Sequence, residues 1–153
     1  MKKIAVFPGS FDPYTKGHES IVEKALGLFD EIVIGIGDNL TKKYMFDLDT
    51  RIKHIQSIYK NEKRVKAFVF QGLTVDFCKE IGAQYMVRGL RDTKDFEYER
   101  NIAQMNLMIS GIESVFFMTV SEYAAVNSTI VREIHKNGGN IDLFVTNAKN
   151  LVK

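Results

Sequence analysis

The chain has 153 residues, 45% hydrophobic and 26% charged, the balance expected of one soluble globular domain over 1–153. Its 21 Lys and Arg against 19 Asp and Glu leave a net charge of +2, which excludes the broad basic footprint of a nucleic-acid binder. The lone Cys78 excludes an internal disulfide, and no apolar run reaches membrane length, so neither nucleic acid nor a membrane is expected as partner and the reading is cytoplasmic.

The elements alternate. Lys3–Phe7 is a short apolar strand, cut off by Pro8-Gly9 before it could serve as a signal segment. The loop that follows carries both prolines of the chain, Pro8 and Pro13, with Gly9 and Gly17, two glycines expected to permit unusual backbone geometry. From Gly17 to Phe29, Ile21, Val22, Ala25, Leu26 and Phe29 recur at a helical period. His18 shares the stripe of Val22, Ala25 and Phe29, so it points inward over the sheet, at a helix start that favours anions. Ser10 adds a hydroxyl nearby.

Glu31–Gly37 is a second strand. Its Gly35-Ile36-Gly37 lacks the third glycine of a dinucleotide fingerprint and lies inside the strand. The polar loop after it holds Lys42 and Lys43, of which Lys42 is placed to reach a ligand. Asp49–Tyr59 is a helix with Ile52, Ile55 and Ile58 inward, Val65–Phe70 a third strand, and Thr74–Ile81 a helix stopped by Gly82. Cys78 belongs to the core; His54 and His135 belong to helix surfaces.

Gln84–Val87 is a fourth strand. Arg88 then sits at its tip, Gly89-Leu90 turns, and Arg91 overlooks the next helix. Two guanidiniums at a strand end match phosphate oxygens better than surface pairing with Asp92 or Asp95 accounts for both. Asp95–Ile109 is the longest helix, with Tyr98, Ile102, Met105 and Ile109 on one stripe and Glu99 off it, among solvated residues. Met105 and Met108 suit a core or a subunit contact. Ser114–Val120 is a fifth strand. Asn127 or Ser128 caps a helix over Ser128–His135, and the run Asn127-Ser128-Thr129 exceeds what capping alone requires. One more helical turn or two closes the chain.

Strands apolar on both faces, alternating with helices, make an α/β fold: a Rossmann-like, doubly wound sheet of five parallel strands. Ligands of such sheets bind beyond the carboxyl ends of the strands, where His18, Lys42, Arg88 and Arg91 are expected to converge. No activated covalent nucleophile stands there. The set suits phosphoryl or nucleotidyl transfer, which needs positioning and charge stabilisation.

Thr15-Lys16-Gly17-His18 resembles the motif of the nucleotidyltransferase superfamily. The Pro8–Pro13 run, Arg88-Gly89-Leu90-Arg91 with Asp95-Phe96-Glu97-Tyr98-Glu99, and Asn127–Glu133 resemble the bacterial phosphopantetheine adenylyltransferases, from Lys3 to about Phe144. The resemblance implies transfer of AMP from ATP to 4′-phosphopantetheine with Mg²⁺, yielding dephospho-coenzyme A and pyrophosphate. It implies that His18 stabilises the transition state. It gives ATP to Ser10, Phe11, His18, Gly89, Leu90, Arg91, Glu99, Tyr123, Ala124, Ala125, Val126, Asn127, Ser128 and Thr129. It gives phosphopantetheine to Ser10, Lys42, Thr74 and Arg88. No metal ligand from a protein side chain is implied, Mg²⁺ being carried on phosphates. A homohexamer and inhibition by coenzyme A are implied as well. The chain departs from the usual pattern at Asn127, Thr74 and Gly72, where members commonly carry a serine, a larger apolar residue and an acid. The rival readings are a related transferase using nicotinamide mononucleotide or glycerol phosphate, and a non-catalytic nucleotide-binding module.

Overall fold

Five strands and five α-helices alternate in the computed structural model, which describes residues 1–151. They run β1 (Ile4–Gly9), α1 (Lys16–Ala25), β2 (Glu31–Gly37), α2 (Leu48–Ile58), β3 (Val65–Phe70), α3 (Thr74–Glu80), β4 (Tyr85–Leu90), α4 (Thr93–Ser110), β5 (Glu113–Met118) and α5 (Ser128–Lys136). Short 3₁₀ turns lie at Ser121–Tyr123 and Ala148–Asn150, the second supplying the expected closing turn. The strands form one parallel sheet in the order β3-β2-β1-β4-β5. The doubly wound reading therefore holds, and β2 and β3 have the bounds their apolar runs announce.

Residue alternation along the strands feeds two cores. Ala5, Phe7, Ile32, Ile34 and Ile36 face α1 and α2, meeting Ile21, Val22, Ala25 and Ile55. Val6, Val33 and Met86 face the other way onto Val75, Phe77 and Cys78, so the cysteine is core as expected. A third cluster, Phe46, Val131, Ile141, Val145 and Leu151, seats α5 and the C-terminal segment.

Three expectations need correction. The fourth strand does not stop at Val87: it continues to Leu90, paired with β5 through Met118, so Gly89 and Leu90 are strand residues and not a turn. On α4 the expectation that Glu99 is solvated fails. Tyr98, Ile102, Met105 and Ile109 are exposed, and the one buried residue of that helix is Glu99. An edge helix over an edge strand has only one side of its own chain to pack on. Lastly, His54 is not a surface residue. It is buried, and its Nε2 lies 2.8 Å from the Thr146 carbonyl, to which it donates, while Nδ1 has no partner among the described residues.

That burial lowers the pKa of His54, because the enclosed ring resists taking a charge. The folded state then binds fewer protons than the unfolded chain once the pH falls below the ordinary histidine range. Stability is full above about pH 6.5 and drains as the pH drops toward the depressed value. Glu19, whose carboxyl burial pushes up, acts in the opposite sense nearer its own range. The unliganded protein is expected to lose thermal stability between pH 7 and pH 5.5 through both His54 and the buried His18, and His54→Gln to reduce that slope in part. Thermal melts across this interval check it, and an unchanged slope in the variant would contradict the assignment.

Candidate active site

Chain order and sheet order part company at β1. The chain first lays β2 and β3 on one side, then crosses to lay β4 and β5 on the other. The resulting crevice opens at the carboxyl ends of β1 and β4, where a parallel α/β sheet leaves room for a ligand.

The loop from β1 is folded tightly into that crevice. Neither Gly9 nor Gly17 takes a left-handed φ; the strained position is Phe11, at φ 48°. Gly9 is required by space instead, since a Cβ there would lie 2.8 Å from Phe11 Cζ. Asp12 is buried and its two carboxylate oxygens accept from Phe46 N at 2.9 Å and Met45 N at 2.8 Å, tying the loop to the segment before α2. Arg51, also buried, donates to Ser10 O at 2.7 Å and Phe46 O at 3.0 Å and stacks 4.0 Å from the Tyr44 ring. Arg132 donates to Asp12 O at 2.8 Å and to Thr129 Oγ1 at 3.2 Å. Reading the sequence missed Asp12, Arg51 and Arg132, because their partners are backbone carbonyls and N–H groups that no side-chain pattern advertises.

His18 stands where the motif places it. Thr15 caps α1: its Oγ1 accepts from His18 N, and His18 Nδ1 accepts from Thr15 N at 2.9 Å. This is a capping box with histidine in place of the usual acid, legible in the three-residue spacing of Thr15 and His18. Because Nδ1 accepts, the ring proton of the neutral form sits on Nε2. Tyr14 stacks on the imidazole at 5.2 Å between centroids, and Phe11 meets it edge-on at 5.0 Å. Burial, then the charges of Arg88 and Arg91, push the His18 pKa down to about 3, so the free protein carries a neutral hydrogen-bond donor there at pH 7.

The cations arrive from three elements. Lys42, on the loop after β2, reaches Ser10 Oγ with its Nζ at 3.4 Å. Arg88 donates to Glu99 through Nε at 2.8 Å and Nη2 at 2.6 Å, and to Pro8 O through Nη1 at 2.7 Å. Arg91 is tied to Asp95 at 3.3 Å, and Asp95 also accepts from Arg91 N at 3.0 Å. Both arginines thus have carboxylate partners, contrary to the expectation from sequence. Glu99 is not solvated at all: a helix register that turns an acid toward the sheet is tolerated when a guanidinium meets it there.

Two open cavities meet at this rim. The first, about 780 Å³, is lined by Ser10, Phe11, His18, Lys42, Arg88, Gly89, Arg91 and Glu99, and by Val126, Asn127, Ser128 and Thr129. The second, about 730 Å³, extends toward Gly72, Thr74, Tyr98 and Ile102 and shares Ser10, Lys42, Tyr44, Arg88 and Glu99 with the first. The four residues anticipated on one rim, the cations Lys42, Arg88 and Arg91 and the neutral His18, are therefore together. Leu90 is buried at the end of β4, and Tyr123, Ala124 and Ala125 lie outside both linings. Tyr123 O and Val126 O instead approach Gly17, 3.7 and 3.8 Å from where its Cβ would stand. Asn127 caps α5 by accepting from Ile130 N at 2.9 Å, and Ser128 donates to Pro13 O at 2.8 Å, locking the α5 entrance to the β1 loop.

Among known proteins, the cytidylyltransferase-like family model matches residues 6–134. The chain is 50% identical over 145 residues to the phosphopantetheine adenylyltransferase of Christiangramia forsetii, spanning 95% of each chain. It is 47% identical over 146 residues to the protein of the same name from Cytophaga hutchinsonii, spanning 95% of this chain and 97% of that one. In fold it matches a solved chain from Vibrio parahaemolyticus, a candidate nicotinate-nucleotide adenylyltransferase, at TM-score 0.71 and 21% identity, over 95% of this chain and 88% of that one.

Proposed function

The chain belongs to the cytidylyltransferase-like family and, within it, to the phosphopantetheine adenylyltransferases, and from that premise we propose how its two cavities divide the work. The enzyme transfers AMP from ATP to 4′-phosphopantetheine, releasing pyrophosphate and forming dephospho-coenzyme A. The observation that carries the site assignment is the junction of the cavities at Ser10, Lys42 and Arg88, under the α1 N-terminus that bears His18.

ATP occupies the first cavity, held by Ser10 and Phe11, by Gly89 and Arg91, and by Val126 to Thr129 at the α5 N-terminus. The phosphate of phosphopantetheine sits between Lys42 and Arg88, and its arm runs along the second cavity past Thr74. Gly72 has φ +82° and nothing within 4 Å of a would-be Cβ, so this arm channel is open on the side where an acid is common. An oxygen of the 4′-phosphate attacks the α-phosphorus, one P–O bond forms, and the bond to the bridging oxygen breaks as pyrophosphate leaves. The attacking phosphate is largely dianionic at neutral pH, its second pKa being roughly 6, so it needs no general base. His18 Nε2–H donates to the α-phosphoryl oxygens as charge builds on them.

The carboxylates of Asp12, Asp95 and Glu99 are each already engaged by N–H donors, and among the described residues no group of three or more acids, histidines or cysteines could hold a metal ion. With these acids engaged, a Mg²⁺ would be carried by the ATP phosphates and waters, where it would supply charge neutralisation. The exposed apolar face of α4, with Tyr98, Met105, Met108 and Ile109, is read as the contact surface of a homohexamer, and coenzyme A as an inhibitor competing for the same cavities. No helix among the described residues is long and apolar enough to cross a membrane; a cytoplasmic location is part of the proposed reading.

Pyrophosphate release with ATP, Mg²⁺ and each candidate acceptor tests the reading. Release is expected with 4′-phosphopantetheine and to stay at least about 100-fold lower with nicotinamide mononucleotide or glycerol phosphate, on the scale by which polar recognition discriminates. Release only with another acceptor would overturn it.

A further inference from the structure

We infer that Tyr44 is the positioning residue of Lys42: its ring holds the ammonium at the junction of the two cavities without cancelling its charge. The inference rests on the assignment of the acceptor phosphate to Lys42 and Arg88.

The cations of the rim are not held alike. Arg88 is paired with Glu99 at 2.6 Å and Arg91 with Asp95 at 3.3 Å. Lys42 has no carboxylate within ion-pair distance among the described residues, so of the three it brings uncompensated positive charge to the rim. Net charge suits an incoming phosphate dianion, but a lysine on a flexible stem has no fixed position of its own. A carboxylate would fix it and neutralise it together. An aromatic face does the first without the second, because the ring quadrupole attracts a cation and carries no net charge.

Tyr44 is placed to do this. Its ring centroid lies 5.4 Å from Lys42 Nζ, within the roughly 6 Å reach of that attraction. Ser10 Oγ accepts from the same Nζ at 3.4 Å, a long bond that alone guides the ammonium weakly. The ring is itself anchored. The guanidinium of the buried Arg51 stands 4.0 Å from its centroid and donates to Ser10 O at 2.7 Å and, through Nε, to Phe46 O at 3.0 Å. One buried side chain therefore sets both groups that Lys42 touches, the ring by stacking and Ser10 through its carbonyl. Tyr44 lines both cavities, at the junction where the acceptor phosphate and the α-phosphate must meet.

Kinetics on variants at position 44 separate placement of the ammonium from packing of the loop. Tyr44→Leu keeps apolar bulk and removes the ring face. It is expected to raise KM for 4′-phosphopantetheine about fivefold, within the range of a partly exposed cation–π contact, while KM for ATP moves less than about twofold. Tyr44→Phe keeps the face and should return the phosphopantetheine KM to within about twofold of the parent. On a Lys42→Ala background, Tyr44→Leu should change that KM by less than about twofold, since no ammonium is left to place. An effect of equal size with and without Lys42 would mean that Tyr44 only packs the loop, and would overturn the proposal. So would a Tyr44→Phe variant as impaired as Tyr44→Leu. Should Tyr44→Leu fail to fold, phenylalanines with increasing ring fluorination at position 44 keep the shape and weaken the quadrupole. The phosphopantetheine KM should then climb with each step, and a flat series would overturn the proposal as well. A parent chain that releases pyrophosphate only with another acceptor would fail the functional assignment instead, before any variant is made.

Discussion

His18→Ala is expected to lower kcat by roughly 10²–10³-fold, the loss measured when one preorganised donor to a developing oxyanion is removed, while ATP binding stays within a few-fold of the parent. The size follows from where the ring sits. Thr15 N–H holds Nδ1, leaving Nε2–H as the donor, and Tyr14 and Phe11 fix the plane of the imidazole. A donor held in this way loses little reorganisation energy as charge appears on the phosphoryl oxygens. Alanine leaves no N–H there and opens the position to water. The helix itself should persist, because Thr15 Oγ1 still accepts from the backbone N–H of residue 18, and Val22 and Ala25 keep their seats in the core. Arg91, Lys42 and the α5 entrance are untouched, so ATP keeps its electrostatic contacts. Single-turnover pyrophosphate release beside calorimetric ATP titration separates the two effects. A kcat within tenfold of the parent, or loss of ATP binding in proportion to turnover, would remove His18 from its role.

The contrast between His18 and Glu99 shows what a sequence can disclose. His18 was legible because its spacing to Val22 and Ala25 falls on one helical face, and because a glycine precedes it at a helix start. Both signals are local. Glu99 reads as solvated by the same rule, since it lies off the apolar stripe of α4. Its burial depends on Arg88, eleven positions earlier and on another element, and an acid moves inside only once that partner is in place. The stripe on α4 left its own partner open for a related reason. Helical periodicity identifies a face that avoids water, but says nothing about which surface covers it. For α1, a central helix, the sheet of the same chain does so; for α4, at the sheet edge, Tyr98, Ile102 and Met105 remain open. The β4 bound failed through composition. Gly89-Leu90 between two arginines looks like a turn, yet pairing with Phe117 and Met118 of β5 outweighs the poor strand preference of the glycine.

Asp12→Ala is expected to be the most damaging single change away from the reacting atoms, costing roughly 2–4 kcal/mol of stability, since each buried donor left unsatisfied costs about 1–3 kcal/mol. Two such donors depend on this carboxylate: Phe46 N, in the core cluster under α5, and Met45 N, partly buried beside it. For a chain of this size the loss corresponds to a fall in Tm of about 5–15 °C. The effect should also reach the site. Asp12 ties the β1 loop to the segment carrying Tyr44 and Lys42, and Arg51, anchored on Phe46 O and Ser10 O, spans the same joint. Freeing Met45 and Phe46 loosens Lys42 relative to Ser10, so KM for 4′-phosphopantetheine should rise more than KM for ATP. Asp12→Asn separates the contributions: the amide oxygen still accepts from one N–H, while its NH₂ confronts the other. It should fall between parent and alanine in Tm. Denaturation and steady-state kinetics on the two variants give both readouts. An alanine variant that melts within about 2 °C of the parent would mean that Met45 N and Phe46 N find other acceptors, and that the joint is held by Arg51 alone.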